Sequence, residues 1–383
     1  MDFTLPDELR LLQETVREFV ADAVTPRAAD RDREAAFPAD ELRAAATLGL
    51  CGLMVPEEFG GNPVGSLGAA LVYEEVAAGS PALSVTLSVH NTLVCGAVAT
   101  YGQPELQAEL LPRLASGEIL GAYALTEPSA GSDAAALTTR ARRDGDHYVL
   151  DGRKIFVTHG DHAGLYIIFA VTDPEARTSR RISAFAVDRD TPGLAVPRRE
   201  HKLGLRASEI AEVTLTECRV PATRLLGNEG DGFGIAMALL DGGRIGIGAQ
   251  AVGIARGAFD LARRYARERQ QFGRPIADFQ AIQWKLADMA TRIDAARLLV
   301  WRAATLRDQG QPHTLAASQA KLFASETATF VTDQAVQIHG GYGYLEEYAV
   351  ERYFRDARAT VIYEGTSEIQ RLVIARRLLS DSQ

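Results

Sequence analysis

The segment Tyr123-Ala-Leu-Thr-Glu-Pro-Ser-Ala-Gly-Ser-Asp133 stands where the periodicity of the chain changes. Before it, apolar residues recur at helical spacing: Leu9, Leu12, Val16, Phe19 and Val20 form one stripe behind Pro6, Asp7 and Glu8, which suit a first helical turn. Further helices are expected over 39–48, 67–78 and 81–101, the last so rich in small and apolar residues that it should be buried or line a cavity. After the segment the period shortens. His147-Tyr-Val-Leu150 and Lys154-Ile-Phe-Val157 flank Asp151-Gly152 and read as a hairpin, and the runs 165–171, 182–187 and 211–215 add strands. No helical stretch separates them, so an antiparallel barrel or sandwich is expected and a parallel nucleotide-binding sheet is not.

From about residue 232 the helical period returns. Ile282, Leu286, Met289 and Ile293 share a face, and no proline or glycine interrupts the run to Arg307. Such lengths suit a bundle. The expected order is therefore helices, barrel, helices, with domains over about 1–120, 121–228 and 229–383 and an α+β multidomain fold.

The 383 residues exceed one ordinary core, and 46% hydrophobic with 24% charged residues is a globular balance. With 41 basic against 50 acidic residues the formal net charge is -9, and no Lys/Arg stripe tracks a phosphate backbone, so nucleic-acid binding is not expected. Apolar runs such as 165–171 fall short of the ~20 residues of a membrane span. Met1-Asp2-Phe3-Thr4 leads into a charged amphipathic segment, so no secretory signal is expected. Cys51, Cys95 and Cys218 are scattered and odd in number, which suits reduced thiols in the cytoplasm and no metal site.

Four places look able to carry chemistry. In 123–133, small residues allow close backbone approach to a phosphate, and Thr126 and Ser132 can hydrogen-bond a polar ligand; a plain turn into a strand fits these residues equally well. On the strand 154–160, alternation puts Phe156 and Thr158 on one face, where a ring and a hydroxyl suit a flat heterocycle or simply a core. Arg267 to Pro275 reads as a helix end closed by glycine, or as a phosphate site centred on Arg269. Near the end, Gln337-Ile-His-Gly-Gly-Tyr-Gly-Tyr344 closes a helix with glycines. Val361-Ile-Tyr-Glu-Gly-Thr366 sets Glu364 behind apolar residues, either as a desolvated base or as a solvated loop acid. Ser367 and Gln370 form a candidate capping box for the next helix.

Taken in order, these segments resemble the acyl-CoA dehydrogenase family over essentially the whole chain. The family pattern Y-x-x-T-E-P-x-A-G-S-D is matched from Tyr123 to Asp133, and W/F-I/V-T/S by Phe156-Val157-Thr158. R-x-x-F-G is matched from Arg269 to Gly273, Q-I-x-G-G-x-G from Gln337 to Gly343, and Y-E-G-T from Tyr363 to Thr366. Ser129 departs from the commoner glycine and Phe156 from the commoner tryptophan; neither threatens cofactor binding.

The resemblance implies an N-terminal helical domain, a middle antiparallel β-barrel, a C-terminal four-helix bundle, and a homotetramer built as a dimer of dimers. FAD would lie between barrel and bundle. Tyr123, Leu125 and Thr126 would meet its ring, Ser132 its pyrophosphate, Phe156 would pack on the ring and Thr158 would bond near N5. Arg269, Phe272, Gln337 and Gly341 would hold the ADP half, the first two from a neighbouring subunit, with Thr366 and Glu368 completing the site. Ser132, Asp241, Arg244 and Gly365 would border acyl-CoA.

Glu364 would be the catalytic base, since the alternative position used by some members is Gly243 here. The implied reaction is α,β-dehydrogenation of a short or branched acyl-CoA to the trans-2-enoyl thioester, with the Cα proton to Glu364 and hydride to flavin N5. The flavin ribityl 2′-hydroxyl and the Glu364 N–H would polarise the thioester carbonyl. Electrons would pass to an electron-transfer flavoprotein. An acyl-CoA oxidase, an acyl-carrier-protein-linked dehydrogenase and a non-catalytic flavoprotein are the alternatives. The end of the acyl pocket is expected around 88–91 and 239–243.

Overall fold

Asp7 and Glu8 open α1 (Asp7–Phe19), whose stripe buries Val16 and continues into a π-turn that buries Val20 and Val24. The computed structural model describes residues 4–177 and 180–380. The N-terminal third is helical: α2 (Ala28–Arg33), α3 (Ala39–Thr47), α4 (Gly65–Gly79), α5 (Pro81–Ser88), α6 (Gly96–Tyr101) and α7 (Pro104–Ala115). Ser80 caps α5 by accepting from the Leu83 N–H at 3.3 Å, and Pro81 occupies the first turn where its missing N–H costs nothing. Between α5 and α6 a π-turn (Val89–Cys95) keeps the rod continuous. The resulting stretch 81–101 is long and apolar enough to cross a bilayer, yet 89% of its most apolar window is buried inside the protein, as its composition suggests.

The middle third forms an eight-stranded sheet: β1 (Gly121–Ala124), β2 (Arg140–Asp144), β3 (His147–Thr158), β4 (Leu165–Val171), β5 (Ile182–Asp188), β6 (Leu194–Arg199), β7 (Ile210–Pro221) and β8 (Leu225–Leu226). Its order is β6-β7-β3-β2-β4-β5-β8, with β1 parallel to β4. Period-2 alternation explains why β4 is buried throughout. Leu165, Ile167 and Phe169 face the helices, while Tyr166, Ile168 and Ala170 face a second core shared with Tyr148, Leu150, Phe185 and Val213. The sheet curls around that second core, the barrel-like arrangement expected.

One expected hairpin is corrected. Asp151-Gly152 is not a turn; β3 runs through it, and the register slips there because β7 carries an extra residue near Glu217. Glycine is needed at 152 because Thr139 backs onto it: a Cβ would come within 2.7 Å of the Thr139 Cβ. The true turn joins β2 to β3 at Gly145, whose φ is 65°.

The last third holds α8 (Gly232–Glu268), α9 (Gln280–Asp308), α10 (Thr314–His339), α11 (Val350–Thr360) and α12 (Ser367–Leu379). A small hairpin, β9 (Gln270–Gln271) and β10 (Arg274–Pro275), projects between α8 and α9. The N-terminal helices are riveted to this bundle by buried charge. Glu75 accepts from Arg17 at 2.9 Å and Arg256 at 2.6 Å, and Glu74 from Arg297 at 3.0 Å. The sheet domain is anchored by the Leu205 N–H, which donates to Asp356 on α11 at 2.5 Å.

Candidate active site

Glu364 sits in the short link between α11 and α12, on backbone of φ 50° followed by Gly365 at φ 92°. A non-glycine residue in the left-handed region costs about 1–3 kcal/mol and persists only when its surroundings over-determine it. Here they do. The Gln370 amide donates to the Glu364 carbonyl at 3.2 Å and to the Gly365 carbonyl at 2.9 Å, and Lys321 Nζ donates to the Gly365 carbonyl at 2.8 Å. Both side chains are fully buried. The Tyr363 hydroxyl donates to Gln250 on α8, and Ser367 N–H closes the link onto the Val361 carbonyl at 3.0 Å. The cap of α12 is Thr366, whose hydroxyl accepts from Ile369 N–H at 3.3 Å; the expected Ser367/Gln370 box does not form, because Gln370 is occupied with the link.

This backbone aims the carboxylate at α8. A Cβ built on Gly243 would overlap Glu364 Oε2 and lie 3.0 Å from its Cδ and 3.2 Å from Leu93 Cδ2. Oε2 is buried and has no hydrogen-bond partner among the described residues. Burial pushes the Glu364 pKa up to about 7, against the opposing pull of the Lys321 and Arg244 cations. A carboxyl poised near neutrality and facing a pocket can take or give a proton. Its own N–H finds no acceptor among the described residues, leaving a donor free for a ligand.

Tyr123 on β1 packs on Phe169, and its hydroxyl is buried without a partner among the described residues. Burial, then the nearby Glu364 charge, pushes that phenol well up, so it stays protonated and able to donate. Beside it, Glu127 is a keystone and not a ligand. It accepts from Thr138 N–H at 2.6 Å, Thr139 N–H at 2.9 Å and Lys154 Nζ at 2.7 Å. Lys154 also donates to the Leu125 carbonyl at 3.2 Å, and Ile155 N–H to that of Thr126 at 2.9 Å. The 125–127 loop is thus laid along β3. A bulge between Lys154 and Val157 puts Phe156 at φ 56° and leaves it 60% exposed, with Thr158 half-buried two residues on. An exposed aromatic ring, held on strained backbone beside unspent polar groups, suits a planar heterocycle. Ser132 is exposed on the loop before β2.

At the other end of α8, Arg269 lies beside Tyr342, 5.4 Å from its ring, so the β9–β10 hairpin meets the turn after α10. Gly273 does not close α8; with Phe272 at φ 53° and Gly273 at φ 79° it makes the hairpin turn, presenting a Phe272 ring 93% exposed. Gln337 and Gly341 are exposed at this end, and a Cβ at Gly341 would meet nothing. Sixteen residues of α10, roughly 24 Å, separate Gln337 from Lys321 and the Glu364 link. Within one chain, then, Arg269, Phe272, Gln337 and Gly341 gather together, while Thr366 and the exposed Glu368 stand with Glu364.

Asp241 and Arg244, one turn apart on α8, pair at 2.5 Å, and Thr314 donates to Asp241 at 2.5 Å. With Met237, Val373, Arg376 and Arg377 they line a cavity of about 400 Å³, into which three guanidinium groups bring positive charge. Sequence reading missed Lys321 and the Glu127–Lys154 pair, whose partners lie 44 and 27 residues away, and it gave Gln370 a capping role where the structure has it bracing the link.

The acyl-CoA dehydrogenase N-terminal domain family matches residues 6–118, the middle domain family 122–218 and the C-terminal domain family 230–379. The chain is 48% identical over 381 residues to an acryloyl-CoA reductase (NADH) of Anaerotignum propionicum, covering 99% of this chain and 96% of the relative. Among solved structures it resembles a chain in that of the electron transferring flavoprotein of Acidaminococcus fermentans, at 44% identity, complete coverage of both chains and a TM-score of 0.98. It also resembles butyryl-CoA dehydrogenase from Megasphaera elsdenii, at 41% identity, 99% and 100% coverage and a TM-score of 0.97. Three domain models spanning nearly the whole chain make it an oxidoreductase of one family. The chain belongs to the acyl-CoA dehydrogenase family, and its cofactor is FAD.

Proposed function

We propose that the chain dehydrogenates short acyl-CoA thioesters at Cα–Cβ, with Glu364 as the base. The observation that carries this is the buried, unpartnered Oε2 with a pKa near 7, facing the side-chain-free surface of Gly243. The Cα proton passes to Glu364 Oε2. A bare carboxylate is too weak for this unless charge developing on the thioester oxygen is stabilised. The free N–H of Glu364 is placed to donate there, a contribution of about 3 kcal/mol in a dry site. FAD, when bound, accepts the Cβ hydrogen as hydride. Gln370 and Lys321 hold the link so that carboxylate and N–H face the substrate together, and the Tyr123 hydroxyl adds a buried donor on the sheet side.

We assign Tyr123, Leu125, Thr126, Ser132, Phe156 and Thr158 to the flavin side, and Thr366 and Glu368 to the same chain's share of the site. The separation along α10 supports assigning Arg269, Phe272, Gln337 and Gly341 to the FAD of a neighbouring copy, as a homotetramer would provide. Asp241, Arg244 and the arginine-lined cavity suit the phosphates of CoA, with Ser132 and Gly365 along its path. Domain limits near 120 and 228, an electron-transfer flavoprotein as acceptor and a cytoplasmic setting belong to the same reading.

The likeness to an acryloyl-CoA reductase favours a second reading, in which the same residues run the reaction toward the saturated thioester. A half-protonated Glu364 serves that direction equally. Anaerobic mixing of the FAD-loaded protein with acyl-CoAs from four to sixteen carbons tests the first. The oxidised-flavin band should be lost with the shortest; a band unmoved by every thioester would sink it.

A further inference from the structure

The α8 face that receives Glu364 carries glycines at 242, 243 and 246, so backbone alone walls this side of the pocket. One turn beyond Gly243, roughly 4.5 Å of rise, the opening ends. A Cβ at Gly246 would lie 2.5 Å from Ser88 Oγ and 3.4 Å from Tyr73 Cε2. Tyr73 comes from α4, is 1% exposed, and its hydroxyl lies 3.2 Å from Thr92 Oγ1 in the π-turn. Ser88 Oγ is wholly buried and has no hydrogen-bond partner among the described residues, so an unspent polar group points at the same spot. Burial pushes the Tyr73 phenol up, and the charges of Arg307 and Glu364 both reach it. Arg307 in turn covers Gly242, its Cζ 2.7 Å from a Cβ built there.

We propose that the Tyr73 ring, pinned by Thr92 and backed by Ser88 at Gly246, is the floor of the acyl pocket and sets its limit to short chains. This rests on the reading of Glu364 as the base for an acyl-CoA, and goes beyond it by naming a residue from α4, outside every motif that marks the active site. The ring reaches from α4 to α8 at Gly246. Its backing is rigid: Asn91 in the same π-turn is fixed by Leu53 N–H at 2.8 Å and by the Leu50 carbonyl at 2.8 Å. A longer acyl chain therefore meets a ring that cannot swing aside.

The test uses FAD-loaded protein and S-alkyl-CoA thioethers of four, eight and twelve carbons, which lack the carbonyl and cannot react. Binding is measured by calorimetry, and anaerobic flavin bleaching by butyryl- and octanoyl-CoA is followed in parallel. Wild type should favour the four-carbon ligand. Tyr73→Ala should shift the octyl-to-butyl affinity ratio, and the corresponding kcat/KM ratio, at least tenfold toward the longer chain. Tyr73→Leu, which keeps the helix apolar, should move both the same way and stands in should the alanine variant not fold. Tyr73→Phe keeps the ring and should leave the ratio within threefold. Unchanged ratios in the shortened variants, or a tenfold shift in Tyr73→Phe, would overturn the ring as floor while wild-type bleaching still upheld the dehydrogenase. A wild type that neither binds the thioethers nor bleaches would overturn the underlying reading and the floor with it.

Discussion

Gly243 faces Glu364 so closely that the smallest side chain would displace the carboxylate. The two positions, 121 residues apart, occupy one place in space, and only one of them can carry bulk. This is why a glycine in α8 and a strained glutamate after α11 belong to one site.

Gly243→Ala should therefore cost activity without costing the fold. Overpacking of about 1–3 kcal/mol falls on the carboxylate and corresponds to a rate loss of roughly 5- to 150-fold. The check is kcat/KM beside the flavin spectrum and melting temperature. An alanine variant with wild-type kcat would show that Glu364 has room to spare. Moving the acid across the gap, in Gly243→Glu with Glu364→Gly, should restore part of the activity lost in Glu364→Gly alone.

The pH profile follows from burial. Glu364 must be ionised to accept a proton, so kcat/KM in the dehydrogenation direction should rise with pH and level off above about 7. Lys321 and Arg244 pull that value down, while Tyr73, Tyr123 and Tyr363 stay protonated around it. Lys321→Met removes one cation and should move the midpoint to higher pH as well as loosening the Gly365 carbonyl. A midpoint unmoved or lowered in that variant would mean that Lys321 only braces the backbone.

Much of this site was legible beforehand, and its failures have physical causes. Tyr363 to Thr366 could be read because the proposed base, the strained turn and the helix cap are contiguous. Alternation could not foresee the bulge at Phe156, which turns on a cross-strand register shift rather than on local spacing. Asp151-Gly152 misled because the glycine serves packing against Thr139, a contact across strands that local spacing does not encode. Gly273 misled in the opposite sense, making a hairpin turn where a helix end was the plainer reading. Gln370 reads locally as half of a capping box, and only the turned link shows it holding the Glu364 and Gly365 carbonyls; Lys321 and Tyr73 lie far along the chain, and only the fold brings them near Glu364.

The Glu127–Lys154 pair predicts a stability effect remote from chemistry. Both side chains are buried, and Lys154 with the hydrogen bonds from Thr138 and Thr139 holds the Glu127 carboxyl down at about 2 despite its burial. Its folded value is thus below the ordinary 4.5, so its contribution is complete above pH 4.5 and is lost as pH falls toward 2. Glu127→Gln would leave a buried, unpaired ammonium, at a cost of about 3–5 kcal/mol. Thermal melts near pH 7 should show the loss; a variant as stable as wild type would mean that Lys154 sheds its proton or finds another partner.

Phe272 offers a test of the proposed shared cofactor site. It is exposed, and its ring stacks edge-on with Phe279 at 6.0 Å, so Phe272→Ala should leave the fold intact. We expect at least a tenfold weaker FAD affinity and a larger share of smaller assemblies on sizing. Unchanged FAD retention would separate this hairpin from the cofactor.

The central claim is that Glu364 takes the Cα proton, and the most direct measurement compares wild type with Glu364→Gln, both FAD-loaded and mixed anaerobically with butyryl-CoA. Wild type should lose its oxidised-flavin band rapidly. The glutamine variant should bind the thioester, stay yellow, and bleach at least a thousandfold more slowly, a loss of about 4 kcal/mol. Bleaching of Glu364→Gln at the wild-type rate would contradict the account.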